Sequence, residues 1–439
     1  MKSWEEYLEE RLCIGSIKVP RGAECRHFLI LGRSGTGKTR LIYSFLEKLR
    51  KREDCIVIIY DFKGDYVSCF YESGDLLFNP LDLRTLHWCP LTEIQAVSDI
   101  DSIATSLIPP SRSDDRFWVD GARDVFASLA YITFTRFGAS NEELFNLTSL
   151  NEKETLEVVT QAVGEGIEYA KKAVGYLEQG QEKGAKMAGD ILATMRQYTN
   201  CFYYTRHLNA EFSISEFLNS SEYVGRFLFL VGFPKLRDTL RPLFSLFVDL
   251  FIKTVLSLSE DSERRIFIFL DEFATLQRLT SIVQGLEQGR SKGMGIVIAL
   301  QDINQLRRIY SDDTANSIVN NCSTIISFAV NDPASQEYMS RVFGEFEKLE
   351  TDESLSMGPH DLRDGLTLKR ARRIERLILP SEIGALSDLT CYLKMLDFPV
   401  ARVKIPFVSK EQKIEPLIFD ERFLIRQGGE VNEGERVNS

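Results

Sequence analysis

Apolar and polar positions alternate along the chain in two registers. His27–Leu31 is a short apolar run that reads as a buried strand. After a glycine-rich break, the apolar residues of Lys38–Arg50 recur at helical spacing, and Cys55–Tyr60 is a β-branched run that reads as a second buried strand. From about Glu93 to Ser220 the pattern becomes helical, with long periodicities at Arg116–Phe137, Asn151–Gln179 and Lys183–Tyr198. Strand patterns return at Arg226–Val231, Arg265–Leu270, Gly295–Leu300 and Ser323–Phe328. Helical patterns at Arg237–Leu258, Leu276–Arg290 and Ala334–Phe343 separate them, and Leu389–Leu396 to about Phe407 predicts a further strand or hairpin. Strands alternating with helices predict an α/β fold with a mostly parallel central sheet. We expect this domain to comprise residues 1–94 and 221–426, interrupted by an all-α insertion at 95–220. The polar, glycine-containing residues 427–439 are expected to be a disordered tail. No repeat at a solenoid or propeller period is present.

Composition narrows the class. The chain has 439 residues, 44% hydrophobic and 27% charged, enough to bury a substantial core. Its longest apolar stretch, Leu243–Leu258, is interrupted by Asp249 and Lys253, short of the ~20 apolar residues a spanning helix needs. The opening MKSWEEYLEERL has neither the basic start nor the apolar stretch of a secretory signal, so a cytoplasmic location is expected. Eight cysteines without a CxxC pair argue against a zinc site or a disulfide framework. A net charge of −11 excludes a protein coated all over by nucleic acid, so any DNA contact must be local. Arg50-Lys51-Arg52 and Lys369-Arg370-Ala371-Arg372-Arg373 are basic clusters whose plain reading is a solvated helix face or turn.

The first strand runs into Gly32-Arg33-Ser34-Gly35-Thr36-Gly37-Lys38-Thr39, a full P-loop pattern leading into a helix. Glycines let the backbone wrap the phosphates of ATP, the helix N-terminus supplies a positive field, and Lys38 adds a mobile cation. Thr39 is the expected magnesium ligand. The strand Arg265–Leu270 ends in Asp271-Glu272, two carboxylates where open α/β sheets bind ligands. Asp271 can hold Mg2+ through water and Glu272 can polarise the attacking water, whereas an acidic pair there can equally cap a helix. Gln301, ending the next strand, is a candidate γ-phosphate sensor or a helix cap. Arg290 is either an arginine finger toward a neighbouring subunit's nucleotide or a surface arginine on a helix C-terminus. Asp61, ending Cys55–Tyr60, can assist the metal or water, or build an Asx-type turn.

The order of these motifs resembles the coupling ATPases of conjugation and type IV secretion, relatives of FtsK- and HerA-like translocases. Beyond the P-loop the resemblance includes Tyr60-Asp61-Phe62-Lys63-Gly64-Asp65, Phe78-Asn79-Pro80-Leu81, Trp88-Cys89-Pro90-Leu91 and Phe117 through Arg123. Further on it includes Leu270 through Leu276, Gly289-Arg290, Leu300-Gln301, Ile318 through Thr324, Asn331-Asp332-Pro333 and Leu379 through Ile383. It implies a RecA-like P-loop domain, ATP and Mg2+ as cofactors, and a homo-hexameric ring with Arg290 acting in trans. It also implies single- or double-stranded DNA threaded through a central pore, and a relaxase and secretion-channel proteins as partners at the inner face of the membrane. Family members usually carry two membrane helices ahead of the P-loop domain, a pattern that the few dozen residues before Gly32 do not repeat. A trimmed anchor and a soluble branch both account for that. A protein-handling secretion ATPase, a HerA-like translocase not coupled to secretion, and a nucleotide-gated scaffold are the alternative readings.

Overall fold

The structure is a computed structural model and describes residues 10–111, 116–182, 186–356 and 365–424. The expected tail at 427–439 lies outside the described residues. Nine strands form the central sheet: β1 Phe28–Leu31, β2 Cys55–Asp61, β3 Leu76–Phe78, β4 Phe227–Val231, β5 Arg265–Leu270, β6 Met294–Leu300, β7 Thr324–Ser327, β8 Thr390–Met395 and β9 Ala401–Lys404. Their order is β9-β8-β7-β1-β6-β5-β2-β4-β3. β1 to β7 pair in parallel, whereas β8 and β9 form an antiparallel hairpin on the β7 edge. The strands predicted from the apolar runs agree to about a residue, and the segment after Leu389 resolves as the hairpin.

The central strands are buried on both faces, which is why they read as continuous apolar runs without polar alternation. Phe28, Ile30, Val57, Ile59, Phe267 and Phe269 point into one core layer, with the helix Lys38–Arg50 and the β8–β9 hairpin. Their neighbours Leu29, Leu31, Ile58, Ile268 and Leu270 point into the other, against the helix Arg237–Ser257. The period-2 geometry of a strand thus divides one sequence run between two cores. Between β3 and β4 the described residues from Val97 to Asn219 are mainly helical. Their apolar residues, such as Ala104, Phe126, Ile191 and Phe202, continue the core on the Arg237–Ser257 face without a break.

Three sequence expectations need revision. Asn151–Gln179 is two helices, Glu152–Gly164 and Lys171–Glu182, because Gly166 takes φ 93° and a 3-10 turn at Glu168–Ala170 redirects the chain. Leu276–Arg290 shortens to Ile282–Gln288. Residues ahead of it are held elsewhere: Gln277 N–H donates to Ser245 Oγ, and Thr280 Oγ1 and Ser281 Oγ donate to Asp249. Finally, a long antiparallel ribbon, Glu345–Ser356 with Gly365–Arg376, was not foreseen, its sequence being too polar to mark a strand.

In the first basic cluster Arg50 and Arg52 are held by carboxylates, whereas in the second the described Arg372 and Arg373 are exposed on the ribbon beside glutamates. Arg50 makes a two-pronged pair with Asp75 at 3.0 and 2.7 Å, and buried Arg52 binds both oxygens of buried Glu24 at 3.0 Å. On the ribbon, Arg372 faces Glu347 at 3.4 Å and Arg373 faces Glu350 at 3.1 Å.

Asp249, in the Arg237–Ser257 helix, ties the start of the helical insertion to the sheet domain. Its carboxylate accepts from Ser106 Oγ at 2.7 Å, Thr280 Oγ1 at 2.7 Å and both the N–H and hydroxyl of Ser281, with Lys253 Nζ 3.3 Å away. Burial opposes its charge, but Lys253 and these hydroxyls outweigh burial and hold the carboxyl below its usual value. A depressed folded value gives stability that is present above the unfolded pKa of about 3.9 and is lost as pH falls below it. Asp249→Ala should lower unfolding stability by about 3–5 kcal/mol near neutral pH, because it leaves buried donors and Lys253 without their partner. Denaturant melts at two pH values check this: the deficit should shrink in acid.

Candidate nucleotide site

β1, β5 and β6 run parallel, so the loops after Leu31, Leu270 and Leu300 emerge at one end of the sheet. The P-loop turns out of β1 and starts the helix Lys38–Arg50. Gly37 takes φ 122°, and a Cβ there would sit 3.0 Å from Leu389 Cδ2, so a side chain is excluded on both counts. A Cβ at Gly32 would come within 2.7 Å of Phe328 Cβ and 2.9 Å of Thr36 Oγ1. The loop is braced from inside, Thr36 Oγ1 donating to Arg33 O at 2.8 Å and Leu389 N–H donating to Thr36 O at 2.8 Å. Lys38 Nζ reaches back to Gly32 O at 2.5 Å and Arg33 O at 3.2 Å. Burial pulls its pKa down, while Glu272 and Asp271 pull the other way.

At the tip of β5 the backbone is strained. Glu272 sits in the left-handed region, φ 53° and ψ 47°, where a non-glycine residue costs about 1–3 kcal/mol. The turn is fixed by Thr275, whose N–H and hydroxyl both donate to Glu272 O at 2.7 Å, while its hydroxyl also meets Tyr60 Oη at 2.9 Å. Gln301 Nε2 donates to both Glu272 oxygens at 3.1 Å and so fixes the carboxylate. Asp271 accepts from Tyr66 Oη at 2.9 Å. Burial raises the Asp271 pKa, with Tyr66 and Lys38 opposing and Glu272 adding to the rise.

A cleft of about 560 Å³ brings the two motifs together: Ser34, Gly35, Gly37, Lys38 and Thr39 line one side, and Asp271 and Glu272 the other. Its size suits a drug-sized or nucleotide-sized ligand. Gly32, Arg33 and Thr36 lie behind this lining. They hold Lys38 and the loop, and the Arg33 side chain turns away to Asn331 at 3.1 Å and Asp388 at 3.9 Å. Thr39 and Asp271 can together hold a divalent cation, because an oxygen ligand set at a strand tip beside a P-loop suits Mg2+. Among the described residues no group of three or more His, Cys, Asp or Glu side chains is placed to hold a metal ion.

Three candidates do not line the cleft: Gln301, hydrogen-bonded to Glu272, lines a neighbouring cavity, and Asp61 and Arg290 sit elsewhere. Asp61 is buried, and its two oxygens accept from four backbone N–H groups, those of Gly64, Asp65, Tyr66 and Val67, at 2.8–3.0 Å. It is the organiser of a turn and does not line the cleft; burial still pushes its pKa up to about 7. That turn presents Lys63 and Asp65 to the cleft and aims Tyr66 at Asp271. Arg290 is exposed just before β6 begins, at the opposite end of the strand from Gln301, and lies beside Glu260, Asp261 and Glu287. It cannot serve the cleft of its own chain.

Sequence reasoning missed Tyr66, Arg40, Asp388, Leu389 and Phe407. The last three arrive from the C-terminal hairpin and the strap after it. Arg40 fastens that strap, with its Nη1 donating to Val408 O at 2.7 Å and its guanidinium 4.7 Å from the Phe407 ring centroid. No local pattern announces residues this far apart in the chain.

Among the described residues, no helix is long and apolar enough to cross a membrane. Residues 11–406 match the family model described as the type IV secretion-system coupling protein DNA-binding domain. The coupling protein TraD of Escherichia coli (strain K12) is 28% identical over 410 residues, covering 92% of this chain and 55% of TraD. The conjugal transfer protein TraG of Escherichia coli is 24% identical over 301 residues, covering 62% of this chain and 45% of TraG. The chain therefore spans about half the length of the curated relatives it matches. The bacterial conjugative coupling protein TrwBdeltaN70, in a trigonal form with sulphate, superposes with a TM-score of 0.79 at 26% identity over 94% of this chain and 92% of its own. The plasmid coupling protein TrwB in complex with ADP and Mg2+ superposes with a TM-score of 0.78 at 26% identity over the same shares, 94% and 92%. A RecA-like parallel sheet with its P-loop and acidic pair meeting at one end, matched by that model from residue 11 to 406, makes this chain a member of the type IV secretion-system coupling protein family.

Proposed function

We propose that the chain is an ATP-hydrolysing motor of the coupling-protein type, which binds Mg2+-ATP in the P-loop cleft and moves DNA through a homo-hexameric ring. The observation that carries this reading is the single cleft lined by both Lys38-Thr39 and Asp271-Glu272. Structures of TrwB in complex with ADPNP, and with ADP and Mg2+, support a nucleotide as the ligand. Thr39 and Asp271 would hold the magnesium ion, which when bound would neutralise charge developing on the phosphates. Lys38 meets the phosphates as a point charge. Glu272 orients and deprotonates the attacking water, and Gln301, hydrogen-bonded to both its oxygens, keeps that carboxylate aimed. Tyr66 holds Asp271 from behind.

Arg290, turned away from its own cleft, suits an arginine finger for the next subunit, since a head-to-tail interface that closes makes a ring. DNA is favoured as substrate by the family description. Arg50 and Arg52, paired with Asp75 and Glu24, leave fewer cations for it, and that keeps polypeptide delivery as a second reading. A relaxase and secretion-channel proteins are the partners the family reading brings.

Lys38→Ala should abolish binding of a fluorescent ATP analogue. Glu272→Gln should bind the analogue normally and hydrolyse ATP about 10²–10⁴-fold more slowly, the usual share of a general base; wild-type turnover in that variant would remove Glu272 from its role. Arg290→Ala alone should bind and fail to hydrolyse, and mixing it with Lys38→Ala subunits should restore turnover. Absence of that complementation would return Arg290 to a surface residue. ATPase assays with and without single- and double-stranded DNA, at two protein concentrations, separate the substrates: stimulation that rises with concentration is expected, and stimulation by polypeptide alone would favour the second reading.

A further inference from the structure

Next to the P-loop cleft is a second cavity of about 320 Å³, and Glu272 and Lys63 line both. Its other walls include Arg237, Arg308 and Gln301. Three cations thus face a space whose only lining carboxylate is Glu272, which is already held by Gln301. Among the described residues no side chain of the three forms a salt bridge or donates a hydrogen bond, although Lys63 is near enough to Asp271 to pull its pKa down and Arg237 rests 5.6 Å from the Phe62 ring centroid. Arg50, Arg52 and Arg84, by contrast, are paired with Asp75, Glu24 and Asp82. The cationic character extends one helical turn beyond Arg237 to Arg241. Burial and then Arg237 keep that guanidinium below its usual value. Concentrated, unpaired positive charge in a concave polar site calls for an anion, and guanidinium forks match the oxygens of a tetrahedral phosphate.

We propose that this cavity is a phosphate-binding site, taking one tetrahedral phosphate group between Lys63, Arg237 and Arg308. Its link to turnover rests on the nucleotide reading of the cleft: the two spaces share Glu272, so a phosphate here acts on the carboxylate that Gln301 holds. The group has two sources, inorganic phosphate leaving the cleft after hydrolysis or a phosphodiester of bound DNA.

The test uses the full chain with a fluorescent, non-hydrolysable ATP analogue in the cleft, and titrates inorganic phosphate calorimetrically and a single-stranded oligonucleotide by anisotropy. Arg237→Gln with Arg308→Gln, both at exposed positions, should weaken at least one of the two by about tenfold or more, and the lysine pair should retain it. Loss confined to phosphate assigns the product as occupant. Loss confined to the oligonucleotide, with a shallower salt dependence, assigns DNA. Unchanged binding of both probes in the glutamine variant overturns the site. Analogue fluorescence is read separately, so a chain that fails to take the analogue disproves the cleft reading, while the phosphate comparison between parent and variant still stands.

Discussion

Everything chemical in this protein depends on the parallel pairing of β1, β6 and β5. Leu31 lies opposite Leu300 and Leu270 opposite Ile298, so the residues that follow each strand emerge within one rim of the sheet. A glycine-rich loop, an acidic pair and a glutamine, separated by more than two hundred residues in sequence, become neighbours through backbone register alone. Ligand sites at the carboxyl ends of parallel strands follow from this geometry. Arg290, which enters β6 at the other end, is excluded from that rim by the same register.

On this scaffold the site is held by positioning residues more than by its reactive ones. Glu272 takes a strained backbone because Thr275 clamps its carbonyl and Tyr60 clamps Thr275. Asp61 gathers four N–H groups and thereby sets the turn that delivers Tyr66 to Asp271 and Lys63 to the cleft wall. The strain at Glu272 is tolerated where the surrounding network over-determines the conformation, as is common at functional sites.

The helical insertion and the C-terminal hairpin act on the sheet from opposite faces. Residues 97–219 extend the apolar layer over the Arg237–Ser257 helix, with Asp249 as the polar tie that fixes the junction. The hairpin pairs with β7, and Leu389 and Phe407 beside it complete the cleft from the other face. Packed, continuous connections of this kind are the physical route by which a change at the cleft can reach distant surfaces.

Sequence alone determined the buried strands, because a strand covered on both faces must be apolar throughout, and it determined the P-loop and the acidic pair, because their chemistry is carried by residues adjacent in the chain. Cys55–Asp61, Arg265–Leu270 and Lys38–Arg50 were legible for that reason. Tertiary structure decided what adjacency cannot encode. Whether Asp61 faced ligand or backbone depended on how the next six residues turned, and whether Arg50 and Arg52 met solvent or carboxylates depended on Asp75 and Glu24 folding beside them. The ribbon of Glu345–Ser356 with Gly365–Arg376 was hidden because its strands are too polar for an apolar pattern, and the cavity between Lys63, Arg237 and Arg308 because a turn and two helices that follow different strands converge only when the parallel sheet brings its strand ends together.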